Sequence, residues 1–235
     1  RNISMRLQSA IFDMDGTLLD TLEDLYLALN HSLNACGYAA RTREEVQAFI
    51  GDGVGVLIAK AMPDALKEGI ESDQAKQAEF RKKCVAVGEV FREFYIEHGE
   101  DNTKPYDGII TLLGALKKNG IKTAVVSNKV QEAVERLNER LFSGLIDAAV
   151  GDGAGLKLKP EPDMLLCALD KLGVNQGEAL FVGDGETDIL AASRAGLPCI
   201  SVCYGYRTEE FLRSKGGKLF AHNVRELADL LNTEL

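Results

Sequence analysis

From about residue 105 onward, short apolar runs rich in branched side chains alternate with amphipathic stretches, a pattern typical of successive βα units. Buried parallel strands are apolar on both faces, and these runs have that composition. The pattern predicts an α/β core built on a parallel sheet. We predict strands at residues 8–12, 121–127, 145–150, 179–182 and 199–202, and helices at 109–119, 130–140, 162–172, 187–195 and 224–231.

Residues 18–100 interrupt this alternation with helical patterns alone, predicted at 21–36, 42–50, 55–61 and 72–98. An all-helical block after the first strand, followed by a return to βα units, indicates two domains. We predict an α/β core from residues 5–17 and 101–235, with an inserted helical cap at 18–100. The hinges are expected near residues 17–20 and 101–105. Residues 1–4 precede Met5 and are left out of the argument.

The charge balance restricts what the chain binds. With 27 Lys and Arg against 36 Asp and Glu, the net charge is −9, which disfavours nonspecific binding to nucleic acid or an anionic membrane. An anionic substrate therefore needs local positive charge, from a metal cation or a few basic side chains. We expect a small-molecule partner, no nucleic acid and no membrane. Monomer and homodimer both stay open.

The cysteines and the absence of long apolar runs predict a cytoplasmic location. The five cysteines are odd in number and form neither CxxC pairs nor a zinc spacing with His31, His98 or His222, which favours reduced thiols. No run of about 18 apolar residues and no signal-peptide pattern is present.

Four polar segments follow predicted strands or lie just beyond them, where open α/β sheets bind ligands. Each segment alone is also ordinary turn, cap or surface chemistry. Together, in this order, they supply two carboxyl groups, a hydroxyl donor, a cation and a hard-oxygen metal site, which phosphoryl transfer requires. The segments are Asp13-Met14-Asp15-Gly16-Thr17, Ser127-Asn128, Lys159 beside Pro160, and Gly183-Asp184-Gly185-Glu186-Thr187-Asp188.

These segments resemble the haloacid dehalogenase (HAD) superfamily, in particular its phosphoglycolate-phosphatase-like members with a helical cap. The resemblance runs from Gln8 to Leu231 and implies a Rossmann-like sheet core with the inserted cap. It rests on DMDGTLLDT (13–21), AVVSNK (124–129), KPEPD (159–163) and GDGETDILAA (183–192), with PYDGI (105–109) and YGYR (204–207) also similar.

The resemblance implies a Mg²⁺-dependent phosphatase that acts on a small phosphorylated metabolite. Asp13 would attack phosphorus to form an aspartyl phosphate, and Asp15 would protonate the leaving oxygen and then activate water. The implied Mg²⁺ ligands are the Asp13 carboxylate, the Asp15 main-chain carbonyl and the Asp184 carboxylate, with Asp188 behind them. The implied phosphate and substrate contacts come from Thr17, Ser127, Asn128 and Lys159.

The predicted cap contributes a candidate substrate loop, Gly51-Asp52-Gly53, at a helix N-terminus. The surrounding IGDGVGVLIAKAM (50–62) resembles phosphoglycolate phosphatases, which makes phosphoglycolate a candidate substrate. Asp52 departs from this expectation because it adds negative charge near the place for a substrate carboxylate. Basic residues at 81–83 and 92 are candidates to balance that charge, although helix-surface charges are usually solvated.

Other activities remain to be separated from the phosphatase. A sugar-phosphate mutase would use the same core residues, and a phospho-acceptor or binding module would share the acidic site without turnover. Halide-displacing members of the superfamily do not keep the acid at Asp15, and the loop after Gly51 offers no lysine for the Schiff base of phosphonate-cleaving members. GDGVG and GDGAG do not match the nucleotide-binding spacings.

Overall fold

A computed structural model describes residues 7–153 and 155–235 of the chain. Its strands are β1 (Ser9–Phe12), β2 (Leu19–Asp20), β3 (Lys104–Pro105), β4 (Lys122–Val130), β5 (Ala148–Asp152), β6 (Ala179–Gly183), β7 (Cys199–Val202) and β8 (Leu219–Ala221). Its α-helices are α1 (Leu22–Ala35), α2 (Arg43–Phe49), α3 (Val54–Ala61), α4 (Gln74–His98), α5 (Ile109–Lys118), α6 (Gln131–Phe142), α7 (Asp163–Leu172), α8 (Glu186–Arg194), α9 (Glu209–Ser214) and α10 (Val224–Leu230).

Six of the strands form one parallel sheet in the order β5-β4-β1-β6-β7-β8. From β1 the chain goes to β4 and β5 on one side, then returns to β6, β7 and β8 on the other. The strand order therefore reverses at β1, and the carboxyl ends of β4, β1 and β6 surround this switch point, where ligands of open α/β sheets bind. The predicted α/β fold class is confirmed.

The sheet has a core on each face, as its apolar strands require. Successive strand residues point to opposite faces, so Ala10 and Phe12 pack into one buried cluster while Ile11 packs into the other. All three side chains are fully buried. The central strand is thereby fixed in register, and the residue that follows it, Asp13, is placed at the switch point.

Among the described residues the chain divides into two compact units, one of residues 7–20 and 104–235 and the other of residues 21–103. These divisions lie three residues beyond the predicted boundaries at 17/18 and 100/101. Residues 5 and 6 of the predicted core lie outside the described residues. The chain leaves the first unit after β2 and re-enters it at β3, and these two strands pair antiparallel with each other. Both lie where the sequence predicted hinges.

The second unit contains helices α1–α4 and is folded around its own contacts. Thr42 caps α2 in a capping box with Glu45, and Asp73 caps α4 by accepting hydrogen bonds from Ala75 and Lys76. The buried carboxylate of Asp24 in α1 accepts hydrogen bonds from Asn102 and Thr103 and so ties the end of the unit to its beginning. None of the helices within residues 7–153 and 155–235 has the length and apolar character needed to cross a membrane.

Candidate active site

Lys159 lies at the centre of the polar cluster at the switch point. Its Nζ is 2.8 Å from Asp13 Oδ1 and 2.7 Å from Asp188 Oδ1, and only 1% of its side chain is exposed. Burial alone would lower the pKa of Lys159, but the charges of Asp13 and Asp188 outweigh burial and raise it above its usual value. Lys159 is therefore a buried, permanently charged ammonium held between two carboxylates.

Asn128 fixes the main chain of Lys159. Its side-chain amide donates to Lys159 O and accepts from Lys159 N, both at 2.9 Å. Asn128 lies in β4, where the pairing with β5 shifts register between Val126 and Val130. The predicted strand ended at residue 127, whereas β4 continues to Val130, because this irregularity keeps the polar residues in the strand while interrupting its ladder.

Three buried carboxylates converge beside this ammonium. Ligand oxygens of Asp13, Asp184 and Asp188 lie within 4.8 Å of one another. Burial, reinforced by the charge of Asp188, raises the pKa of Asp184 to about 7. Burial likewise raises the pKa of Asp13 well above its ordinary value, although Lys159 acts in the opposite direction. One ammonium therefore does not balance the carboxylates of the cluster.

This donor set fits a hard divalent cation. Mg²⁺ prefers carboxylate oxygens, and a nearby cation restores the ionised form of carboxyl groups whose pKa burial has raised. Asp184 is oriented by the main-chain N–H of Tyr206, which donates to Oδ2 at 2.8 Å. Asp188 Oδ2 accepts from Gly185 N at 3.0 Å, so this carboxylate joins Lys159 to the start of α8. The Asp15 carbonyl as a ligand stays a prediction.

Gly16 allows the loop after β1 to approach Asp184. Its φ is +79°, and a Cβ atom built there would lie 2.3 Å from Asp184 Oδ2. Any side chain at this position would displace the carboxylate, so the glycine of the first motif is required by close approach as well as by backbone conformation.

The Asp15 side chain lies apart from the three converging carboxylates. It is partly exposed, and its Oδ1 is 3.4 Å from the Nζ of Lys129, an ion pair that lacks hydrogen-bond geometry. The Lys129 side chain is 8% exposed. No role was assigned to Lys129 from the sequence, although it is the last residue of the AVVSNK segment. A lysine directly after Ser-Asn at a strand end could have indicated a site residue.

Two of the predicted phosphate contacts, Ser127 and Thr17, carry hydroxyl side chains. Ser127 is buried, and its Oγ accepts from Lys129 N at 3.3 Å. Thr17 is fully buried, and its Oγ1 has no hydrogen-bond partner among the described residues, while its carbonyl accepts from Tyr204 Oη at 3.1 Å. Both hydroxyls keep the capacity to donate to an anion.

The predicted substrate loop Gly51-Asp52-Gly53 belongs to the helical unit. Gly51 and Gly53 have φ values of 130° and 87°, and the loop leads directly into α3. Asp52 is ion-paired with Lys60 in the last turn of α3, with Oδ2 and Nζ 2.7 Å apart. The charge that set Asp52 apart in the sequence is therefore balanced within the loop and its helix, by a residue that sequence reasoning did not name.

Known proteins are similar over most of the chain. The family model for haloacid dehalogenase-like hydrolases matches residues 10–202. A phosphoglycolate phosphatase of Aquifex aeolicus is 38% identical over 83% of this chain and 84% of its own length. An N-acetylmuramic acid 6-phosphate phosphatase of Pseudomonas aeruginosa is 32% identical over 98% of this chain and 97% of its own.

A solved structure gives the same result for the fold. A protein of Lactobacillus delbrueckii subsp. bulgaricus, proposed to be a phosphoglycolate phosphatase, superposes with a TM-score of 0.85 and 34% identity, covering 96% of this chain and 99% of that one. The predicted resemblance is confirmed by both kinds of similarity. The chain belongs to the haloacid dehalogenase-like hydrolase family.

Proposed function

We propose that this hydrolase is a Mg²⁺-dependent phosphatase that releases phosphate from a small phosphate monoester through a phosphorylated Asp13. The observation that carries the proposal is the buried ammonium of Lys159, held 2.8 Å from Asp13 and 2.7 Å from Asp188, beside the third carboxylate of Asp184. Phosphoryl transfer asks mainly for positioning and charge neutralisation, and this cluster supplies both.

Asp13 is the proposed nucleophile. Lys159 contacts its Oδ1, so we assign the attack on phosphorus to Oδ2, which forms the new P–O bond while the bond to the alcohol oxygen breaks. Lys159 and the hydroxyls of Ser127 and Thr17 are the proposed donors to the nonbridging phosphate oxygens. When bound, Mg²⁺ would be held by Asp13 and Asp184 and would neutralise charge on the phosphoryl group.

Asp15 is the proposed proton donor and acceptor. Its carboxyl group protonates the leaving alcohol oxygen and then takes a proton from the water that attacks the aspartyl phosphate, which regenerates Asp13 and releases phosphate. The partly exposed side chain of Asp15, outside the carboxylate cluster, supports a role of this carboxyl group in proton exchange, while the Asp15 main-chain carbonyl stays a predicted Mg²⁺ ligand. Lys129, 3.4 Å away, would steady its side chain.

The proposed substrate carries a carboxylate as well as a phosphate. Phosphoglycolate and N-acetylmuramic acid 6-phosphate, which name the two relatives above, both have this combination. We propose that the helical unit, residues 21–103, acts as the cap and that its Gly51-Asp52-Gly53 loop takes part in choosing the substrate. The glycine-rich entry to α3 supports this because main-chain N–H groups at the start of a helix can bind an anion.

A variant pair tests the covalent mechanism. Asp13→Asn should lower Mg²⁺-dependent phosphate release from an aryl phosphate on the order of 10³-fold or more, because it removes the nucleophile. Asp152→Asn, at an exposed aspartate outside the cluster, should keep full activity. With an aryl phosphate, whose leaving group needs little protonation, Asp15→Asn should accumulate phosphorylated Asp13, seen by intact-mass spectrometry, since the hydrolytic water lacks its base. Robust turnover by Asp13→Asn would exclude this mechanism.

The products separate the remaining activities. Incubation with phosphoglycolate, N-acetylmuramic acid 6-phosphate and hexose phosphates should give free phosphate; an isomerised sugar phosphate would identify a mutase. Stoichiometric phosphorylation without turnover would identify a phospho-acceptor module. N-acetylglucosamine 6-phosphate, which lacks the lactyl carboxylate, is the matched control for the carboxylate requirement.

A further inference from the structure

A second cluster of metal-ligating side chains lies in the α/β unit, beyond the carboxyl ends of β7 and β8. Ligand atoms of Cys203, Glu209 and His222 lie within 4.8 Å of one another. The register of the sheet explains the convergence: Val202 at the end of β7 pairs with Ala221 at the end of β8, so the next residues, Cys203 and His222, leave the sheet side by side. Cys203 N also donates to Ala221 O at 2.8 Å.

Glu209 reaches the cluster as the first residue of α9. Thr208 caps this helix by accepting from Phe211 N at 3.3 Å, which fixes where the helix begins. One carboxylate oxygen of Glu209 pairs with Arg213, and the other, Oε2, is 2.8 Å from His222 Nε2. Glu209 thus presents a defined oxygen to the imidazole, with the opposite oxygen held by an arginine.

The imidazole of His222 is oriented from behind by a second carboxylate. Glu226 Oε2 is 2.8 Å from His222 Nδ1 and also accepts from the His222 main-chain N–H at 2.9 Å. Histidines that bind metals nearly always donate their other ring N–H to a carboxylate or carbonyl in this way. Nε2 is therefore the nitrogen directed towards Glu209 Oε2, and a metal ion would take the place of the hydrogen between these two atoms.

We propose that Cys203, Glu209 and His222 form a binding site for a zinc-class transition metal ion. A thiolate, an imidazole and a carboxylate are ligands of a borderline-soft ion, whereas the cluster around Asp13 offers oxygens alone and suits a hard ion. Three protein ligands leave a fourth tetrahedral position for water. The His222 side chain is 53% exposed, which gives the ion a path from solvent. Binding displaces the thiol proton of Cys203 to solvent.

The metal would clamp a loop that contacts the candidate active site. Cys203 and Glu209 lie at the two ends of the loop of residues 204–208, and two residues of this loop contact the candidate active site. Tyr204 Oη donates to the Thr17 carbonyl, and Tyr206 N donates to Asp184 Oδ2. Tying both ends of the loop to His222 would hold these donors in place. The site goes beyond the proposed phosphatase activity and does not depend on it.

Cobalt provides the direct test because a Co²⁺–thiolate bond gives a charge-transfer band in the near ultraviolet. Metal-free, reduced protein titrated with Co²⁺ should show this band at one equivalent, and Zn²⁺ should displace it. Cys203→Ser should abolish the band. Glu226→Gln, which removes the carboxylate behind His222, should weaken binding roughly 10- to 100-fold. At about 100 times its Kd, Zn²⁺ should raise the midpoint of thermal unfolding by about 5–10 °C.

Three further variants separate this site from others in the chain. Cys84→Ser, at a free cysteine of α4, should retain the band, and so should Asp184→Asn in the carboxylate cluster. His222→Gln at an exposed position should weaken binding without unfolding the chain, which covers the case in which Cys203→Ser does not fold. A missing band in the unsubstituted protein, its persistence in Cys203→Ser, or its loss in Asp184→Asn would each overturn the proposal.

Discussion

The sequence Gly-Asp-Gly occurs in both units directly before a helix, and its aspartate has a different setting in each. Asp184, before α8, is 5% exposed, accepts from Tyr206 N and lies among other buried carboxylates. Asp52, before α3, has a side chain that is 31% exposed and ion-paired with Lys60. The same three residues thus present an unbalanced buried charge in one unit and a neutralised surface charge in the other.

The difference arises from what precedes each segment. Gly183 ends a fully buried parallel strand and Asp184 follows it, so the Asp184 carboxylate emerges where the end of the neighbouring strand β1 also places a carboxylate. Asp52 follows a short helix and Ile50, and the next helix brings a lysine within reach. A short motif therefore indicates a backbone conformation, while the neighbouring elements determine the electrostatics and hence the chemistry.

The largest expected contrast concerns catalysis. Asp184→Asn should lower kcat/KM by at least about 100-fold and raise the Mg²⁺ concentration needed for activity, because it removes one of the two proposed carboxylate ligands. Asp52→Asn should change turnover of an aryl phosphate, which carries no carboxylate, by less than about threefold. Steady-state assays across a Mg²⁺ series measure both effects.

Loss of fold must be excluded for Asp184→Asn. In chelator at pH 8, above the raised pKa of about 7, the Asp184 carboxylate is buried and ionised, so a neutral amide should leave thermal stability unchanged or higher. Equal losses of activity in the two variants would show that Asp52 and Asp184 contribute equally to catalysis despite their different settings.

The next contrast concerns stability and has opposite signs for Gly183, in the first of these segments, and Gly55, in the helix that follows the second. A Cβ at Gly183 would lie 2.4 Å from Asp188 side-chain atoms, so Gly183→Ala should destabilise the chain by about 1–3 kcal/mol and reduce activity. A Cβ at Gly55, an exposed residue of α3, meets nothing within 4 Å, and Gly55→Ala should stabilise by about 0.5–1 kcal/mol. Denaturant unfolding of both variants measures these differences, and shifts of the same sign would contradict the steric reading.

Periodicity and turn chemistry predicted much of the fold from the sequence. The five sheet strands that were predicted are apolar runs of at least four residues, and all of them are present. β8 and α9 were not predicted, because three residues and six residues are too short for a periodic pattern to emerge. The end of β4 was misplaced because polar Ser127 and Asn128 look like a turn, whereas the chain continues in an irregular strand.

Contacts between segments that are distant in the sequence could not be predicted from the sequence patterns. Asp13, Lys159 and Asp184 were predicted as site residues because each lies at or near a strand end. The hydrogen bonds of Asn128 with Lys159 and the ion pair of Lys129 with Asp15 depend on the order of the strands in the sheet. Cys203 and His222 were dismissed as lacking a zinc spacing. They are adjacent because β7 and β8 are neighbours in the sheet, and strand order cannot be read from residue spacing.

The smallest expected effect concerns substrate choice by the loop that contains Asp52. Lys60→Met would remove the ammonium that pairs with the Asp52 carboxylate and should lower kcat/KM for phosphoglycolate about two- to fivefold, with a smaller change for ethyl phosphate, which has no carboxylate. Asp52→Asn should shift the same ratio in the opposite direction, because it leaves the ammonium of Lys60 unbalanced. Both shifts should shrink as salt is added, since the groups are partly exposed. If the two substrates respond equally in both variants, the loop does not sense the substrate carboxylate, and its Gly-Asp-Gly segment serves only to begin α3.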